Sequence, residues 1–189
     1  MASLIEAARD SGYPAEIVLV ISNKAEAAGL YYAQAEGIEA LAIPHKFYPS
    51  REDHDAAIDA ALMKAGAEIV CLAGYMRIMS RTLIEKWAGK MINIHPSLLP
   101  AFPGLHTHER ALEAGVAEHG CSVHFVTAGV DEGPIIAQAK VPVLTSDTPE
   151  TLGARVLAEE HRLYPAALRL VAEGGVYMES GKAAFSGAE

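Results

Sequence analysis

The sequence predicts a single α/β domain over residues 1–189, built on a doubly wound, mostly parallel sheet with helices on both faces and an antiparallel C-terminal strand addition. Three observations predict it. Short, continuous apolar runs rich in Ile and Val recur along the chain, as they do in strands buried on both faces. Helical patterns separate most of these runs, the alternation expected of a parallel sheet with crossover helices. A length of 189 residues, 51% of them hydrophobic, suffices for one sizeable core.

Each element follows in order. The chain opens on a helix, with Met1, Leu4, Ile5 and Ala8 on one apolar stripe and Gly12 as its stop. EIVLVISN (16–23) reads as a buried strand, ALAIP (40–44) as a second, AEIVCLAGY (67–75) as a third and KMINIH (90–95) as a fourth. SVHFVT (122–127) and PIIAQAKVPV (134–143) follow with only AGVDEG between them, which marks the antiparallel pair. Helical patterns cover 24–36, 51–65, 80–88, 105–115 and 148–172. The last opens on SDTPE, a threonine cap with proline in the first turn and an early glutamate. Residues 176–189 read as a peripheral tail.

Composition limits the function classes. A net charge of −9 opposes phosphate-backbone binding, so nucleic acid is not expected as a partner. The two cysteines, Cys71 and Cys121, lie inside apolar runs without a CxxC pair. They read as reduced core residues of a cytoplasmic protein. No apolar run reaches the ~18 residues of a membrane span. MASLIEAARD lacks the pattern of a secretory leader.

The chemistry concentrates in INIHPSLLPAFPGLHTH (92–108). Asn93 and His95 stand two apart at a strand end, so both side chains point to the same side. In open parallel sheets, ligands sit beyond the carboxyl ends of the strands. Gly74-Tyr75-Met76-Arg77 and the loop carrying Asp131 reach the same edge. An amide can donate to a developing oxyanion, an imidazole can move a proton near neutral pH, and a carboxylate can hold that imidazole. These are the parts of an acyl transfer or hydrolysis. No GxSxG elbow is present and neither cysteine is set as a nucleophile, which favours direct attack by a bound amine or water. The bland readings stand beside this. His95 before Pro96 equally fits a strand end that satisfies its turn, and Asp131 fits a turn residue. His106 and His108 have a spacing that suits a metal poorly, so no metal is expected. His124 reads as structural, His161 as either, and Arg51 as a solvated first-turn residue.

NIHPSLLPAFPGLHTH and HGCSVHFVTAGVDEGPIIAQAKVPV, with LAGYMRIMS and ARVLAEEHRLYP, closely resemble the glycinamide ribonucleotide formyltransferases. The resemblance covers residues 1–175. Methionyl-tRNA formyltransferases are similar at NIHPSLLP but carry an Arg-Gly stretch in place of PGLHTH and add an RNA-binding domain. Formyltetrahydrofolate hydrolases tend to have His-His-Ser where this chain has His95-Pro96-Ser97.

The resemblance implies formyl transfer from 10-formyltetrahydrofolate, the co-substrate, to the amine of glycinamide ribonucleotide in purine synthesis, by a monomer or homodimer. It implies Asn93, His95 and Asp131 as the catalytic triad. It places the folate pocket on Arg51, Met76, Arg77, Ile78, Met79, Asn93 and the loop Thr127, Ala128, Gly129, Val130, Asp131. Met76 and Ile78 would line the pterin slot, and Arg51 and Arg77 would suit the glutamate carboxylates. Glu160 would meet the ribose hydroxyls, flanked by Leu157, Ala158 and Glu159.

The chain departs from this pattern at its start. The family opens with a strand and a Gly-x-Gly-Ser-Asn turn whose backbone N–H groups hold phosphate. This sequence begins at the helix that follows. The expectation is that two strand edges lack their interior partner, and that the chain as written folds poorly or binds nucleotide weakly.

Overall fold

A computed structural model describes residues 1–187. Helix α1 (Ala2–Ala8) leads to strand β1 (Val20–Ser22), helix α2 (Ala28–Ala35) and strand β2 (Ala40–Ala42). A 3-10 turn at His45–Phe47 precedes α3 (Arg51–Lys64), β3 (Val70–Leu72) and α4 (Arg81–Lys86). Then come β4 (Met91–His95), α5 (Thr107–Glu113), the long strands β5 (Glu118–Phe125) and β6 (Ile135–Pro142), and α6 (Pro149–Ala172). A hairpin of β7 (Val176–Glu179) and β8 (Lys182–Phe185) ends the described chain.

The α/β class and the antiparallel addition are as expected. β1 and β2 run parallel, as do β3 and β4, and β5 and β6 extend the latter pair antiparallel in the order β3-β4-β5-β6. The parallel strands do not share one ladder, however. β1–β2 form a two-stranded sheet separate from β3–β4–β5–β6. The runs 16–23 and 67–75 therefore yield strands of only three residues, because each has a partner on one side alone. Their burial reflects this. Every residue of VIS and VCL is half-buried, whereas three of the five residues of β4 and all but the first of β5 are buried.

Helix α6 is the main brace. As expected, Thr148 caps the helix, with Pro149 and Glu150 in its first turn, and Thr148 and Thr151 form a reciprocal capping box. Leu168, Ala167 and Tyr164 of α6 pack with Ile92, Val123, Phe125 and Ile136 of the four-stranded sheet. The Tyr164 hydroxyl donates to the carbonyls of Leu72 (2.7 Å) and Ile92 (3.1 Å), which pins β3 to β4 at the end that bears the site. Arg155 clamps Asp147 through both guanidinium nitrogens, which holds that carboxyl well below the usual range and fixes the entry to the helix.

The tail assignment needs correction within the described residues; residues 188–189 lie outside them. Val176 is buried in the main core, and Ser180-Gly181, both at positive φ (50° and 75°), make the two-residue turn of a hairpin. A Ser-Gly pair between two short alternating runs carries that signal in the sequence.

Candidate active site

β4 delivers Asn93 and His95 from its carboxyl end, and Asp131 comes from the loop between β5 and β6. The three converge. His95 Nδ1 lies 3.3 Å from Asp131 Oδ2, with both side chains nearly buried. Asp131 adopts a left-handed φ of 54°, which turns its carboxylate back over the sheet. The loop after β4 closes on both groups. Gly104 N–H donates to Asp131 Oδ2 (2.9 Å), and the other imidazole nitrogen of His95 donates to the Phe102 carbonyl (3.0 Å).

His124, read from the sequence as structural, belongs to this cluster. β4 and β5 are in a register that sets His124 directly opposite Asn93. Its Nδ1 donates to the Phe125 carbonyl (2.9 Å), which leaves Nε2 as an acceptor for the Asn93 amide at 3.3 Å. Burial lowers the His124 pKa, in keeping with a neutral ring that accepts. The same Nε2 lies 3.7 Å from Asp131 Oδ1. A register shift at Val123/His124 re-aims this residue, a common device beside functional sites. Period-two alternation in SVHFVT did not distinguish this role; the cross-strand pairing of a polar residue with Asn93 is the signal that does.

The loop that follows His95 is tied to the sheet by a buried polar network. Ser122 Oγ accepts from Leu99 N (3.0 Å) and Gln138 Nε2 (2.8 Å) and donates to the Ser97 carbonyl (2.7 Å). Gln138 Nε2 also donates to the Leu99 carbonyl (2.9 Å), and Ser97 Oγ donates to the Ala101 carbonyl (2.6 Å). The Leu99–Pro100 peptide is cis. Further along, His108 and His119 meet edge to face with ring nitrogens 3.2 Å apart. Burial lowers both pKa values, that of His119 to about 4. His106 points elsewhere, to Glu109 at 3.5 Å, so GLHTH does not form a histidine pair.

The other expected positions divide. Met76 (74%) and Ile78 (70%) are exposed apolar side chains on the segment after β3, and Val130 (60%) is exposed on the loop that carries Asp131. Arg51 is the first residue of α3, after the Ser50 cap, and contacts Glu52 (3.3 Å), while Met79 packs with the core around Leu83 and Trp87. Thr127 and Gly129 are half-buried and Ala128 exposed on the loop to Asp131. On α6, Leu157 and Ala158 are exposed and Glu159 pairs with Arg162 at 3.0 Å. Glu160 is half-buried, its pKa raised by burial and partly restored by the Met1 ammonium. Among the described residues, no group of three or more His, Cys, Asp or Glu side chains is placed to hold a metal, and no helix is long and apolar enough to cross a membrane.

The formyl transferase family profile matches residues 1–168. The trifunctional purine biosynthetic protein adenosine-3 of Homo sapiens is 52% identical over 181 residues, taking in 95% of this chain, which spans only 18% of that protein's length. The phosphoribosylglycinamide formyltransferase of Escherichia coli is 42% identical over 98% of this chain and 87% of its own. Glycinamide ribonucleotide transformylase 1 from Symbiobacterium toebii superposes with a TM-score of 0.93 at 49% identity, covering 97% of this chain and 86% of that one. A formyltetrahydrofolate deformylase from Pseudomonas syringae shares the fold at a TM-score of 0.88 but only 28% identity, over 97% of this chain and 61% of its own. The chain belongs to the formyl transferase family.

Proposed function

We propose that the protein transfers the formyl group of 10-formyltetrahydrofolate to the amine of glycinamide ribonucleotide, as a cytoplasmic enzyme of purine synthesis. The convergence of Asn93, His95 and Asp131 at the end of β4 carries the reading. The amine attacks the formyl carbon and forms the new C–N bond. The Asn93 amide, its orientation fixed by His124, donates to the oxyanion of the tetrahedral intermediate. His95, held by Asp131, delivers a proton to the folate nitrogen as the old C–N bond breaks, and the proton lost by the attacking nitrogen restores the one that His95 gave up. Phe102 O must release His95 for this step, so the loop after β4 shifts when substrate enters.

The supports for binding are chemical. Met76, Ile78 and Val130 offer an apolar rim for a flat heteroaromatic ring, with Thr127, Ala128, Gly129 and Asp131 supplying backbone groups to its edge. Arg77 and Arg51 are cations suited to carboxylates. Glu160, with Leu157, Ala158 and Glu159 beside it, is the proposed ribose contact.

The test measures tetrahydrofolate release with and without glycinamide ribonucleotide. Release that requires the nucleotide is expected; equal release in its absence would mean that water is the acceptor and would overturn the assignment. His95→Ala should lower kcat by at least ~10³-fold and Asn93→Ala by about 10²–10³-fold, with KM little changed.

A further inference from the structure

The segment between β3 and α4, residues 73–80, carries Met76, Arg77, Ile78 and Met79, the side chains proposed above for folate. It has no regular structure, yet its burial alternates. Tyr75, Arg77 and Met79 are half-buried, and Met76 and Ile78 between them are exposed. That is the period of an extended chain lying against the body of the protein, with one row of side chains inward and the other outward. A slip of one residue would exchange the two rows. Whatever fixes the register of this segment therefore fixes which side chains a ligand meets.

The segment does not fix itself. Among the described residues, no backbone or side-chain hydrogen bond reaches 73–79, and the buried Tyr75 hydroxyl has no partner. The first anchor comes at Ser80, whose N–H donates to Asp55 Oδ2 (2.5 Å). Ser80 Oγ then accepts from Leu83 N (3.4 Å), so one residue ends the segment and starts α4. Asp55 stands on α3 and is only 2% exposed. A carboxylate so enclosed depends on protein donors, because water cannot replace the one it would lose. Its other oxygen lies 3.7 Å from His54 Nδ1. His54 is held in turn: its Nε2 donates to the Ile43 carbonyl (2.8 Å) just beyond β2, and its ring packs on Tyr48 at 5.4 Å between centroids. Burial raises the pKa of the Tyr75 phenol and the Asp55 charge adds to the rise, so this carboxylate also bears on the start of the segment.

We infer that Asp55 is a positioning residue for folate: by holding the Ser80 N–H it sets the register of 73–80 and so turns Met76 and Ile78 outward. Asp55 is itself enclosed and acts through Ser80. The inference rests on the assignment of folate to Met76–Met79 and adds the buried group on which that surface depends. The triad is held separately, by β4, by His124 and by the loop at Phe102 and Gly104. The proposed nucleotide contacts lie on α6. Loss of the Asp55 anchor therefore separates the two substrates.

The experiment uses the full chain, steady-state kinetics with each substrate varied in turn, and calorimetry of tetrahydrofolate binding. Asp55→Ala removes the acceptor. It is expected to raise the KM for 10-formyltetrahydrofolate and the Kd for tetrahydrofolate by at least ~10-fold, with the KM for glycinamide ribonucleotide and kcat each changed by less than about 2-fold. Asp55→Asn keeps an acceptor oxygen of the same reach and should bring the folate KM back to within about 3-fold of the parent. A rise shared equally by both substrates, an unchanged folate KM, or an Asn variant as weak as the Ala variant would overturn the proposal. Met76→Ala tests the assignment beneath it. An unchanged folate KM in that variant would remove folate from this segment and the proposal with it. A raised folate KM there, beside an unchanged one in Asp55→Ala, would overturn the role of Asp55 alone. If Asp55→Ala does not fold, amide exchange in the parent chain decides. The Ser80 amide is expected to exchange at least ~100-fold more slowly than those of Met76, Arg77 and Ile78, and equal rates would overturn the anchor.

Discussion

His124 shows what a single residue contributes beyond its sequence signature. Its neutral ring donates at one nitrogen and accepts at the other, so the Asn93 amide has one orientation. Replacing His124 with Phe removes the acceptor while keeping the bulk. A fall in kcat of about 10-fold with KM nearly unchanged is expected, checked by steady-state kinetics at saturating folate. Gly133 guards the same cluster from behind. A Cβ there would lie 1.6 Å from the Phe125 carbonyl oxygen and 3.2 Å from His124 Nδ1. Gly133→Ala should cost about 2–4 kcal/mol in a denaturant titration. The meeting of Asn93, His95 and Asp131 at one edge was legible in the sequence, because Asn93 and His95 share a strand face and Asp131 sits in a loop reaching the same edge. The role of His124 was not, since it depends on the register of β4 with β5 and on a bulge, both set by packing.

At the scale of elements, the segment between β4 and α5 is held at two places. Ser122 and Gln138 tie its start to β5 and β6, and the His108–His119 pair ties α5 to β5. Gln138→Leu leaves the Leu99 carbonyl and Ser122 hydroxyl without that donor and should cost about 1–2 kcal/mol, read as a shift in the urea midpoint. The histidine pair gives an acid sensitivity whose sign is fixed. Burial holds the folded pKa of His119 at about 4 against its ordinary 6.5, so the unfolded chain binds the extra proton between these limits. Stability is therefore unaffected by this group above pH 6.5 and declines as pH falls toward 4. His119→Leu should flatten that decline, measured as unfolding free energy against pH. Most helices fall within a few residues of their sequence patterns, because caps such as Ser50, Ser80 and Thr148 and the apolar stripes are local information. Strand lengths were less legible: a ladder needs a neighbour, and 16–23 and 67–75 each have one on a single side.

For the whole molecule, the divided sheet makes stability uneven. The core around Ile92, Val123, Phe125 and Leu168 is continuous, whereas β1, β2 and α2 stand apart from it with few fully buried side chains. Amide exchange should show β1 and β2 opening well before β4, β5 and β6, with a spread of several kcal/mol between the two groups. Uniform protection across both sheets would contradict this. One side chain offers an optical window on the better-packed half. The Tyr164 phenol is fully enclosed and donates to two carbonyls, so a phenolate there would face only oxygen lone pairs, and its pKa stands well above the ordinary value. In an alkaline absorbance titration, this phenol is the last to colour. Tyr164 ionises only when the seam between β3 and β4 parts, so the last step in phenolate absorbance reports, without a label, the pH at which that half of the protein lets go.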